Sequence, residues 1–295
     1  MSILLLAGCS AQVPDGQSAP TSGERPAEAG GGVQVLVQKD ISTWALPSDA
    51  YNPPPFALED YAVDLQAEPC LEAAGITFRM VRFDPSGPAP KTMNGSQRRL
   101  FNQEIAAEFG YHEQLDPRVR MEDRTRNNAS DELNDPQTWE TWNNCRQQAL
   151  QDLGGDPNQD VFSFGFPVDS ADRDPAVKEA AVRWRECMEP LGIPDLPPDA
   201  TPLTGLPTDS QYSEWGLNQD VAPWEIPPPS AEEIKVAVYD AQCRDSSGWS
   251  QARYDAEWDA EVSYLTKHYR QLEASRQKYE AQKEAYLKIV QERGQ

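Results

Sequence analysis

One seven-residue string occurs twice in this chain. Cys70-Leu71-Glu72-Ala73-Ala74-Gly75-Ile76 and Cys187-Met188-Glu189-Pro190-Leu191-Gly192-Ile193 both read Cys, Leu or Met, Glu, two variable residues, Gly, Ile. Each is followed by a Pro-containing stretch and later by a second cysteine that precedes Arg: Cys145-Arg146 and Cys243-Arg244. The pattern reads as one unit used twice, each copy carrying its own pair of sulfurs. Spacing alone leaves all three connectivities of four cysteines open. The repeat chooses among them and predicts Cys70–Cys145 and Cys187–Cys243. Loop-closure entropy assigns roughly 4 kcal/mol to each bridge. That matters in a chain with 38% hydrophobic residues and 26 prolines, because its apolar core is modest.

The fifth cysteine has another use. Leu6-Ala7-Gly8-Cys9 matches the bacterial lipobox, in which two small residues precede a thiol that accepts diacylglycerol. The match predicts that residues 1–8 are the end of a lipoprotein signal and that Cys9 is lipidated. The apolar run at residues 3–6 is shorter than the about 7–15 residues of a signal core, so the true start is expected upstream. Residues 10–32 are rich in Gly, Ser, Pro and Ala, and residues 9–50 are expected to be a flexible tether. Several acyl chains, at about 0.8 kcal/mol per buried methylene, anchor a protein stably. The expected place is the outer face of the cell membrane, an environment that permits disulfides.

The helical signals are local. Asp174 and Pro175 suit the cap and first position of a helix, Val177, Ala180, Ala181, Trp184, Cys187, Met188 and Leu191 keep to one face, and Gly192 suits its end. Ser230-Ala231-Glu232-Glu233 reads as a capping box opening a helix through Ile234, Val238, Ala241 and Cys243. In the first unit Asp135 and Pro136 open a helix carrying Trp139, Trp142, Cys145 and Leu150. Pro69 is expected to kink or break the helix that begins near Leu58. Residues 98–111 predict one more helix. Residues 116–134 and 194–229 are expected to be irregular.

The tail is different in kind. Residues 251–293 contain no Gly or Pro, and Trp258, Leu265, Leu272, Tyr279 and Tyr286 recur every seven residues. Val262, Tyr269 and Val290 lie on a neighbouring seam, which Arg276 and Lys283 interrupt. Such a helix would extend roughly 60 Å. Two roles fit: an arm whose five-residue stripe binds an envelope partner or a second copy, or a helix packed along its own body. The expected class is therefore mainly α: two disulfide-stapled helical units (residues 51–155 and 156–249), long Pro-rich irregular segments, and a long C-terminal helix (residues 250–295).

Charge narrows the partners. The net charge is −22, and the stretch from residue 250 onward is neutral, with eight basic and eight acidic residues. The acidic excess lies in residues 1–249 and repels nucleic acid. No Gly-x-Ser-x-Gly, phosphate loop, dinucleotide fingerprint or His-Glu-x-x-His occurs, and no cofactor is implied. The cysteines show no Cys-x-x-Cys, and the two histidines are His112 and His268, so no metal site is expected. His112 is read as structural rather than as a general base. Asp156-x-Asn158-x-Asp160 begins like a calcium loop, but Val161 and Pro167 stand where Gly and Glu are required. A solvated acidic loop, with Asp169, Asp172 and Asp174, is the preferred reading. Asn128-Ala129-Ser130 fits a glycosylation sequon and carries little weight in a bacterial chain.

The string Trp184-Arg185-Glu186-Cys187-Met188-Glu189-Pro190-Leu191-Gly192-Ile193-Pro194-Asp195-Leu196-Pro197 resembles a family of actinobacterial cell-envelope lipoproteins. In these a Cys-Met helix ends in Gly, a Pro-Asp-Phe/Leu-Pro stretch follows, and a later helix ends in Cys-Arg, which residues 237–244 match. Cys70 to Ile76 and Phe109-Gly110-Tyr111-His112 look like a related variant. The family has no assigned reaction. Its members are often associated with ABC-type export systems and cell-wall-binding proteins, so the resemblance implies a non-enzymatic accessory role. A solute-binding lipoprotein of a transporter and a cell-wall enzyme are the alternatives. Trp215 and Trp224 are further candidates for partner contact or for local core.

Overall fold

The computed structural model describes residues 28–29, 33–76, 81–85, 90–93, 100–114, 133–156, 165–166, 168–201, 206–217 and 228–294. The chain is mainly helical, with two disulfides and a long C-terminal helix. Two two-residue strands, Glu28–Ala29 and Val33–Gln34, pair antiparallel. The helices are α1 (Phe56–Ala73), α2 (Gln103–Phe109), α3 (Pro136–Asp152), α4 (Pro175–Met188), α5 (Asp209–Glu214), α6 (Ala231–Ser246) and α7 (Trp249–Arg293).

Caps explain most of the starts. Asp135 accepts from Thr138 N at 2.8 Å and opens α3, with Pro136 first. Asp174 does the same for α4, accepting from Ala176 N at 2.8 Å. A short 3-10 turn, Glu189–Leu191, extends α4 to Gly192, whose φ of 62° is a left-handed end that glycine adopts without strain. Ser230 caps α6 by accepting from Glu233 N at 3.1 Å. The reciprocal half of the expected capping box is not made, because the Glu233 carboxylate is turned to other partners.

The sulfurs join α1 to α3 and α4 to α6. Cys70–Cys145 and Cys187–Cys243 have Cα separations of 5.7 and 5.6 Å, as the repeat predicts. The arginine after the second cysteine is held alike in both units. Arg146 donates to Asp60 at 2.7 Å and to Asp64, and its guanidinium lies over the Trp142 ring. Arg244 donates twice to Asp240, at 2.9 and 2.8 Å, and lies between the Phe101 and Trp249 rings.

Three expectations need correction. Pro69 does not break α1, which is continuous to Ala73. The lost hydrogen bond lies near the helix end, and Leu58, Ala62, Val63, Ala67 and Leu71 are held in a core with Cys145, Ala149, Leu153 and Tyr286. The first unit does not extend unbroken through residues 51–155: Ala106 and Tyr111, on and after α2, lie in the core of the second unit with Trp184, Met188, Ala237 and Ala241. The tether is shorter than residues 9–50, since Val33, Val35, Leu46 and Tyr51 are buried against α7.

α7 is the common spine. Trp249 enters the core of the second unit. Tyr254, Trp258, Leu265 and Leu272 pack on the 33–51 segment. Tyr286 lies in the core of the first unit, with Ile289 and Val290 half-buried against it. The buried second seam of α7 is polar rather than apolar. Glu261, Ser275 and Gln282 are buried, whereas Val262, Tyr269 and Val290 are half-buried. Glu261 accepts from Ser48 N at 2.8 Å, Glu257 accepts from Trp44 Nε1 at 2.8 Å, and Tyr254 Oη donates to Ala45 O at 2.7 Å. Glu261 and Tyr254 thus satisfy backbone groups, and Glu257 an indole N–H, of a segment whose regular structure is a two-residue strand and the 3-10 helix Pro47–Tyr51.

Candidate functional site

The stripe expected to bind a partner does not face outward. Trp258, Leu265, Leu272, Tyr279 and Tyr286 are all buried within the chain, so α7 is not a projecting arm. The periodicity is real, and the chain's own units fill it. Cys9 lies outside the described residues, as do Trp224, Asn128, Ala129, Ser130, Asn158 and Asp160. Trp215 is part of the second core, stacked on Tyr111 with ring centroids 5.5 Å apart. Asp172 pairs with Arg253 at 2.7 Å, and Asp174 is the α4 cap. His268 stacks against Tyr264, with ring centroids 4.4 Å apart.

The outward-facing feature is on α3. Trp139, Trp142 and Arg146 follow one another at helical spacing and share a face. The two indoles stack with centroids 5.0 Å apart and 28° between planes. Trp139 is 47% exposed. With Leu133, these residues line an open concavity of about 290 Å³. The Arg146 guanidinium closes one side of it, 4.8 Å from the Trp142 ring. Asp60 and Asp64 pair with Arg146, so the concavity offers flat apolar rings beside a guanidinium already held by carboxylates. Sequence reasoning placed both tryptophans on this helix but did not mark them as a surface. Their i, i+3 spacing was visible in the sequence, but that Cys145 and Ala149 take the buried face is known from the packing alone.

A second constellation surrounds His112. Its Nδ1 lies 2.9 Å from Glu233 Oε1, which also accepts from Tyr111 N at 2.8 Å. His112 is 7% exposed and Glu233 1%, and Nε2 of the former and Oε2 of the latter have no hydrogen-bond partner. Gly110 makes the approach possible: its φ is 57°, and a Cβ there would collide with Glu233 Oε1. Next to it, Asp240 accepts from Trp184 Nε1 at 2.7 Å and Tyr111 Oη at 3.1 Å as well as from Arg244. A general base must reach a substrate proton. This pair is enclosed between α2 and α6, and its geometry fixes the 110–112 turn on α6.

Among the described residues no group of three or more His, Cys, Asp and Glu side chains is arranged to hold a metal ion. No helix among them is long and apolar enough to cross a membrane.

Fold and surface together define a class: a helical protein of two disulfide-stapled units on one spine, presenting an indole platform. Comparison with family models, with characterised proteins and with solved structures finds no match for this chain.

Proposed function

We propose that this chain is a non-enzymatic accessory protein of the bacterial cell envelope, held on the outer face of the membrane by lipid on Cys9. The observation that carries the reading is the pairing of sulfur. Four of five cysteines are cross-linked within the chain, one bridge to each helical unit. Structural disulfides of this kind form and persist outside the reducing cytosol. The fifth thiol, Cys9, is left for lipid within Leu6-Ala7-Gly8-Cys9. The resemblance of residues 184–197 to actinobacterial envelope lipoproteins adds an association with an ABC-type transport system. Contact with an envelope protein runs through the Trp139–Trp142 face, since exposed aromatic rings beside Arg are the usual anchors of protein contacts.

The test is fractionation of cells expressing the wild type or Cys9→Ser. The wild type is expected in the membrane fraction, released by detergent and not by salt, and Cys9→Ser is expected in soluble form. Retention of Cys9→Ser in the membrane overturns the anchor. For the contact face, cross-linking in intact cells is expected to give an adduct that Trp139→Ala weakens and Val182→Ala, at an exposed position on α4, does not.

A further inference from the structure

The two disulfides differ in what surrounds them. Cys243 is 0% exposed, and Cys187 is half-buried against the second core, where Tyr239 Oη also donates to Cys187 O at 3.1 Å. The other bridge has one half inside and one half at the surface. Cys145 is 3% exposed and belongs to the first core, whereas Cys70 is exposed. Cys70 O accepts from Ala74 N at 3.1 Å, so the Cys70 backbone is bonded within the helix and its exposure falls mainly on the side chain.

The turn that carries Cys70 is lightly packed. Pro69 has no N–H, so α1 lacks the hydrogen bond that would reach Leu65 O. Of residues 69–75, Leu71 alone is buried. The bridge adds a covalent tie where packing is thin. Further back, α1 has anchors of its own: Arg146 donates to Asp60 and Asp64, and Leu58, Ala62 and Val63 share a core with Ala149 and Leu153. Those contacts hold α1 on α3 without the sulfurs.

We propose that Cys70–Cys145 is a site of thiol–disulfide exchange with a dithiol reductant, and that its opening releases the last turn of α1 while Cys187–Cys243 stays closed. Exchange requires a thiolate to reach one sulfur of the bond. Cys70 at the surface admits it, and enclosed Cys145 is the leaving group. A thiolate of the dithiol bonds to Cys70 Sγ, the Cys70–Cys145 bond breaks, and Cys145 leaves as thiolate and takes a proton. The second thiol of the reductant then loses its proton, attacks the reductant's own sulfur in the mixed disulfide, and frees Cys70, which takes a proton in turn. The dithiol is oxidised by two electrons to a disulfide, and the bridge is reduced by the same two. Exposed bridges are the labile ones in exported proteins, and enclosed ones resist reduction.

The test is limited reduction of the full chain in detergent by dithiothreitol, without denaturant, followed by alkylation and mass mapping of the labelled cysteines. Cys70 and Cys145 are expected to be labelled at least about tenfold faster than Cys187 and Cys243, because access sets the rate. Circular dichroism is expected to keep its helical signal through that phase. Hydrogen exchange is expected to quicken in residues 70–76 and not in residues 187–192. The double variant Cys70→Ser, Cys145→Ser is expected to show the same fast exchange at residues 70–76 with no reductant present. Equal labelling of the two bridges, faster labelling of Cys187 and Cys243, or labelling that begins only as helicity is lost overturns the proposal. Unchanged hydrogen exchange at residues 70–76 after reduction of the wild type overturns the release of the turn.

Discussion

Glu233 illustrates how a residue here serves two elements. Its backbone N–H is capped by Ser230, and its carboxylate binds Tyr111 N and His112 across the interface with α2. The cap was legible because Ser230 and Glu233 are neighbours in sequence. The second role was not, because Tyr111 lies 122 residues away. Gly110→Ala should therefore destabilise the protein by about 2–3 kcal/mol, since the new methyl meets Glu233 in a left-handed backbone. Equilibrium denaturation checks this. Tyr254 gives a pH-dependent case. Burial raises its phenol to about 12, despite the hydrogen bond from Asp40 N. A raised folded value means that the fold prefers the protonated phenol. Its contribution is complete below about pH 10 and is lost as pH rises toward 12. Tyr254→Phe should lower stability at pH 7 by about 1 kcal/mol and flatten part of the alkaline fall.

At the scale of elements, α3, α4 and α6 were readable because their caps and apolar faces are local. α7 was readable as a helix and only half readable as a surface. Its heptad stripe is apolar, so the sequence displayed it. Its second buried seam, with Glu261, Ser275 and Gln282, looks solvated in sequence. Buried Glu261 is paired with Ser48 N, 213 residues distant, and no periodicity records such a partner. The Trp139–Trp142 surface was missed for a related reason: a tryptophan on a helix is ordinarily core, and only the packing of Cys145 and Ala149 shows which face was taken. Leu265→Ala and Leu272→Ala should each cost about 2–5 kcal/mol as cavities. Leu287→Ala, at a position 38% exposed, should change stability by less than about 0.5 kcal/mol. Comparable losses at all three positions would contradict the spine.

For the whole molecule, the spine and the two bridges make one argument. α7 joins the 33–51 segment and both stapled units, so a chain lacking residues 250–295 should lose cooperative unfolding altogether rather than lose a partner alone. Circular dichroism on the truncated chain checks this. The bridges close separations of 75 and 56 residues, and each should contribute roughly 4 kcal/mol. The repeat made the connectivity legible; how the units share a core through Tyr111 was not, since that contact crosses from one copy to the other. The most direct measurement is intact mass of the protein taken from its native membrane, alkylated after unfolding without reductant. The prediction is no alkyl group on Cys70, Cys145, Cys187 or Cys243, and a diacylglyceryl mass on Cys9. Four alkylated cysteines, or an unmodified Cys9, would contradict the account.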